Sequence, residues 1–227
     1  MATPLDLEEQ EQLDQLKHFW KQYGNLISWI LIVILGALAS WNGYQYWQRT
    51  QGEKAAAMFE EVDKTVRGGD VAKAERAFSE MKERFGKAAY TQQAALVVAK
   101  MSYDAGKVDS TKSTLTWLVD NATDQGYASV ARLRLSAVSI DAKAYDDALK
   151  LLGTGMAPEF SALADDRMGD IYTLQGKKAE AKAAYLKAYQ GLETTSEYRR
   201  LVSVKLNALG VNPDADAKPV ATKEGAK

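Results

Sequence analysis

Residues 168–188, MGDIYTLQGKKAEAKAAYLKA, decide the fold. Ala, Leu, Lys, Glu and Gln favour helix along this stretch, and Gly176-Lys177 interrupts it once, so it reads as two helices joined by a turn. Gly169 and Ala181 are small enough to let the two helices approach closely. Tyr172 and Tyr185 fill the space beside them, and Gly176 supports the turn.

The offsets of Met168-Gly169, Tyr172, Ala181, Tyr185 and Ala188 are those of the tetratricopeptide pattern L-G-x2-Y, A-x3-F, with Asp165 in place of the usual Trp and Glu193 in place of the Pro. The position of Ala181 recurs upstream at Ala148, Thr111 and Ala74, at spacings of 33, 37 and 37 residues. Phe78, Leu115 and Leu152 take the place of Tyr185, and Leu135 that of Met168. Short punctuation recurs with them, at Gly68-Gly69-Asp70, Ala105-Gly106-Lys107, Asp141-Ala142-Lys143 and Gln175-Gly176-Lys177. The chain is therefore predicted to be all-α, with about four helical hairpins stacked as a solenoid over residues 48–210. Residues 197–209 are expected to form a capping helix that seals the last hairpin with Tyr198, Leu201, Val202, Val204, Leu206 and Leu209. Residues 211–227, rich in Pro, Ala and charge, lack the large apolar residues that would offset the entropy of ordering, and are expected to be disordered.

Ahead of this domain lies NLISWILIVILGALASWNGYQYW, residues 25–47, without an Asp, Glu, Lys or Arg although charged residues make up 26% of the chain. As a helix it would reach roughly 30 Å or more, the thickness of a bilayer's hydrocarbon. Phe19, Trp20 and Tyr23 precede it and Trp41, Tyr44, Tyr46 and Trp47 close it, where amphipathic rings favour the headgroup layer. It reads as a single N-terminal transmembrane helix. The acidic arm before it, residues 1–24, is unlike the short basic opening of a cleaved signal. Charges at the two ends of the span are balanced, Lys17 and Lys21 against Arg49 and Lys54. A small arm before a large domain predicts a cytoplasmic N-terminus. Gly36, Ala39, Ser40 and Gly43 share one helical face, a candidate transmembrane contact strip.

Composition excludes several chemistries. The net charge of −1 gives no electrostatic case for nucleic acid, and with no Cys there is no disulfide, thiolate metal site or thiol nucleophile. The single His18 lies in the arm, without a partner for acid and base work. Asp165, Asp166 and Asp170 are spaced to share a helix face, but carboxylates with no His nearby are expected on a solvated surface. Gly68-Gly69 lacks the Lys and Ser/Thr of a phosphate loop. No catalytic residue, metal, cofactor or small-molecule substrate is expected, and the chain does not read as an enzyme.

The order of features, with LKHFWKQYGN entering the span, WNGYQYW leaving it, RLRLSAV and GDIYTLQGKKAEAKAAY in the hairpins and SVKLNALG at their end, resembles the YfgM-type ancillary SecYEG translocon subunits of Gram-negative bacteria. The resemblance covers residues 7–210, and the extended tail departs from it. It implies an inner-membrane protein with a periplasmic helical domain, associated with the SecYEG channel and the membrane-anchored periplasmic chaperone PpiD. An envelope or cell-division assembly factor using the same repeat type is the alternative. In either case the working surface is expected to be the concave groove, lined by the first helix of each hairpin. By register the candidate partner-binding residues are Phe59, Gln93, Lys100, Tyr103, Leu133, Ala137, Asp166, Asp170 and Thr173.

Overall fold

The structure, a computed structural model, describes residues 7–213, with side chains from Leu13 onward. The ends of the arm and of the tail expected to be disordered, residues 1–6 and 214–227, lie outside the described residues. The described residues are helical, with no strand: α1 (Leu7–Arg67), α2 (Val71–Phe85), α3 (Ala89–Asp104), α4 (Val108–Asn121), α5 (Gln125–Asp141), α6 (Tyr145–Leu152), α7 (Pro158–Leu174), α8 (Lys178–Gly191) and α9 (Glu197–Ala208). The chain divides into two compact units between Glu53 and Lys54.

The described residues of the first unit are helical. No proline interrupts α1, and its four glycines, Gly24, Gly36, Gly43 and Gly52, weaken a helix without breaking it. α1 is the one helix, among the described residues, long and apolar enough to cross a membrane. From Trp29 to Leu38 its large apolar side chains are exposed, from 52% at Ile30 to 65% at Val33. That excludes a buried core helix, whose apolar residues would be covered by protein.

The second unit has the hairpin register read from the sequence. Ala74 on α2, Thr111 on α4, Ala148 on α6 and Ala181 on α8 are all buried, as are Phe78, Leu115, Leu152 and Tyr185 one helical turn further on. Each hairpin turns in the same way. Gly69, Gly106 and Gly176 have φ of 75°, 74° and 74°, and the third turn places Lys143 at φ 59°. In all four the next residue's N–H donates back into the first helix, from Asp70, Lys107, Ala144 and Lys177 to the carbonyls of Thr65, Ser102, Ser139 and Tyr172. This is the left-handed stop that satisfies the last carbonyls of a helix and reverses the chain.

The core runs in three consecutive clusters. Ala55 and Val62 of α1 join Phe78, Met81, Val98, Leu115 and Leu118 in the first. Ala148, Leu152, Ala164 and Ile171 form the second, and Tyr185, Ala188, Val202 and Leu206 the third. The cap differs from expectation in detail. Val202 and Leu206 are fully buried, and Tyr198 and Leu209 pack beside them, but Leu201 and Val204 point outward at 49% and 63% exposure. Residues 198, 202, 206 and 209 follow the helical period along one face, and 201 and 204 fall on the other.

Candidate functional site

The first helices of the second and third hairpins, α3 and α5, flank an open cavity of about 400 Å³. Ala99, Leu115 and Val138, all buried, make its apolar floor. Lys100, Tyr103, Asp104, Arg134 and Ala137 make its rim. The rim charges are held by local bonds: Lys100 Nζ lies 2.6 Å from Asp104, the Tyr103 hydroxyl donates to Asp141 at 2.5 Å, and Arg134 donates to the Leu96 carbonyl at 2.8 Å. The Asp141 carboxylate raises the Tyr103 phenol above its ordinary value, and burial lowers Arg134 below its own. An apolar floor inside a charged, pre-positioned rim suits the insertion of a partner's side chain, with polar groups fixing its direction.

Three of the nine candidate groove residues, Lys100, Tyr103 and Ala137, therefore meet at one cavity. Gln93 is exposed on α3, two turns before Lys100. Phe59 packs on the first core cluster, its ring 5.8 Å from that of Tyr90, and Leu133 packs on the second. Asp166, Asp170 and Thr173 are gathered at the other end of the domain. The Tyr198 hydroxyl and Lys205 of α9 donate to Asp166, at 2.6 Å and 2.8 Å. Lys205 also donates to Asp170 at 2.7 Å, as does the Tyr185 hydroxyl, which lies 3.3 Å from the Thr173 hydroxyl. Burial, together with the Asp170 and Asp166 carboxylates beside them, pushes the Tyr185 and Tyr198 phenols well above their ordinary value.

The expectation that the Asp165–Asp170 carboxylates lie on a solvated face is thus corrected at Asp166, which is 1% exposed. A charge taken out of water needs a partner, and the cap supplies one in Lys205. Among the described residues no three His, Cys, Asp or Glu converge to hold a metal ion. Gly36, Ala39, Ser40 and Gly43 remain on one open face of α1. Apart from the helix's own backbone, nothing lies within 4 Å of a Cβ built at Gly36 or Gly43, and Ser40 donates to the Gly36 carbonyl at 2.8 Å.

Sequence reasoning missed Arg134 and Asp141 at the cavity, and Tyr185, Tyr198 and Lys205 around the buried carboxylates. It also missed Glu75, which accepts from Ser110 at 2.6 Å, Ser102 at 3.0 Å and Lys107 at 3.2 Å. Those bonds, the one from Ser110 first, hold the Glu75 carboxyl below its ordinary value. The one available signal was the recurrence of polar residues at the hairpin ends.

Residues 17–211 match the family described as a tetratricopeptide repeat-like domain. The ancillary SecYEG translocon subunit of Neisseria gonorrhoeae is 30% identical over 207 residues, 89% of this chain and 98% of that protein. The subunits of the same description from Haemophilus influenzae and Escherichia coli are 28% and 23% identical, each over 89% of this chain and over 98% and 97% of their own length. Among solved structures, the crystal structure of MamA protein is similar with a TM-score of 0.48 and 18% identity, over 77% of this chain and 100% of that one.

Proposed function

The chain belongs to the tetratricopeptide repeat-like domain family and, within it, to the ancillary SecYEG translocon subunits, and from that premise we propose that it is a non-enzymatic scaffold of the inner membrane. In this proposal the N-terminus is cytoplasmic, α1 anchors the chain beside the SecYEG channel, and the hairpins hold the periplasmic chaperone PpiD near emerging chains. The observation that carries it is the cavity between α3 and α5, where Lys100, Tyr103 and Ala137 surround an apolar floor and the polar groups of the rim are held to one another by local bonds. The mechanism is effective concentration: partners anchored at one channel meet at roughly millimolar levels, so a shallow groove contact suffices.

Site-specific photocrosslinking in native membranes tests this. A photoreactive amino acid at Lys100 or Ala137 of the full chain is expected to yield adducts with channel or chaperone, and one at the exposed Glu83 of α2 is not. Adducts confined to cell-wall assembly proteins, or equal adducts from both positions, would sink the proposal.

A further inference from the structure

A second cavity, of about 350 Å³ and lined by none of the groove residues, lies between α8 and α9. It is lined by Tyr189, Thr194, Ser196, Arg199, Arg200 and Ser203. Its chemistry is the reverse of the first: two guanidinium groups, three aliphatic hydroxyls and the Tyr189 phenol, with no carboxylate in the wall. Among the described residues neither Arg199 nor Arg200 has an ion-pair partner. The Arg199 Nε is buried without an acceptor, while its guanidinium is held 4.1 Å above the Tyr189 ring. A guanidinium fixed on an aromatic face is pre-organised to present its outer nitrogens to an oxyanion. Ser196 precedes α9 but makes no side-chain cap bond, which leaves its hydroxyl available to donate. Ser203 donates to the Arg200 carbonyl at 2.9 Å and retains its own lone pairs.

We propose that this cavity is a binding site for a phosphate-bearing anion, in which Arg199 and Arg200 clamp the oxyanion and the Ser196 and Thr194 hydroxyls complete its shell. The size admits a phosphate together with the small group esterified to it, so the ligand is either free phosphate or a glycerol phosphate headgroup. Paired guanidinium groups favour the doubly charged, multi-oxygen anion over chloride through bidentate bonds.

The test is calorimetric titration of the full chain in a non-ionic detergent at constant ionic strength, with inorganic phosphate, glycerol 1-phosphate and acetate. Saturable binding of either phosphate compound is expected, with affinity at least about tenfold lower in Arg199→Gln/Arg200→Gln. Tighter binding of glycerol 1-phosphate assigns the site to an esterified phosphate, and tighter binding of inorganic phosphate to the free ion. If the double variant does not fold, Arg200→Gln alone, at an exposed position, is expected to show a loss in the same direction. Absence of saturable binding, retention of full affinity in the variants, or acetate binding more tightly than both phosphates would overturn the proposal.

Discussion

The ring of Tyr185 occupies the space into which a side chain on Gly169 would grow: a Cβ there would lie 2.5 Å from both Cδ1 and Cε1. The contact first met across the α7–α8 hairpin is therefore with this ring, where the sequence had suggested the small Ala181. The ring cannot swing aside cheaply, because its hydroxyl is bonded to Asp170 at 2.7 Å. Gly169→Ala should gain helix propensity yet lose more by overpacking, a net destabilisation of about 1 to 2 kcal/mol. Thermal melting of the full chain in detergent checks it, and Tyr185→Leu in the same chain should recover part of the loss.

The third turn offers the opposite case. Lys143 holds φ 59° where its counterparts are Gly69, Gly106 and Gly176, and a side chain in that region is strained by roughly 1 kcal/mol. Lys143→Gly removes that strain but frees the unfolded chain, so the expected gain is up to about 1 kcal/mol. Gly106→Lys should cost a similar amount. Urea midpoints of the two variants, moving in opposite directions from the parent, are the measurement.

These two cases show what was legible. Hairpin number and register could be read because each repeat writes them locally, in a turn residue at 69, 106, 143 and 176 and a small buried residue five positions later. The buried carboxylate could not. Asp166 meets Tyr198 and Lys205 across 32 and 39 residues, and nothing near position 166 announces a cation supplied by the next element. Arg134 is similar, since its acceptor is a backbone carbonyl 38 residues away, and carbonyls carry no sequence signal. In the cap, Tyr198, Val202, Leu206 and Leu209 seal the last hairpin as expected, but which residues turn inward depends on the face that meets α8, and Leu201 and Val204 fall off it.

The Asp166–Lys205 pair gives a further prediction. The carboxylate side chain is 2% exposed and the ammonium side chain 24%, so removing the cation leaves a buried charge with only the Tyr198 hydroxyl and fewer donors. Lys205→Met should destabilise by about 3 kcal/mol. Asp166→Asn with Lys205→Met should cost less than the two single changes added together, because neither charge is then stranded. Additive losses in a urea double-mutant cycle would show that the two side chains do not interact.

The same cluster sets an alkaline limit. Tyr185 and Tyr198 are raised in the folded chain, so above the ordinary tyrosine value, about 10, the unfolded state releases protons that the folded state keeps. The unfolded state then binds fewer protons, and stability falls as pH rises through this range. Between pH 8 and 9.5 the two tyrosines should contribute little slope, and from pH 10 upward a steep loss. Tyr198→Phe, which cannot ionise, should flatten that slope while lowering stability at pH 8 through the lost bond to Asp166. An unchanged alkaline slope would assign it to other groups.

The last prediction concerns which side of the membrane each unit occupies. Balanced charge at the ends of the apolar run leaves orientation to the difference in size between a short arm and a large domain. The chain has no Cys, so a single introduced one reports its position without background. Asp14 is exposed in the arm and Lys187 is exposed on α8. In intact spheroplasts an impermeant maleimide should label Lys187→Cys within minutes and leave Asp14→Cys unlabelled until detergent is added. The proposed periplasmic scaffold requires that order, because a groove facing the cytoplasm could not reach a periplasmic chaperone. Labelling of Asp14→Cys alone before lysis would invert the topology and remove PpiD as a direct partner of the domain, while leaving the fold and its cavities as they are.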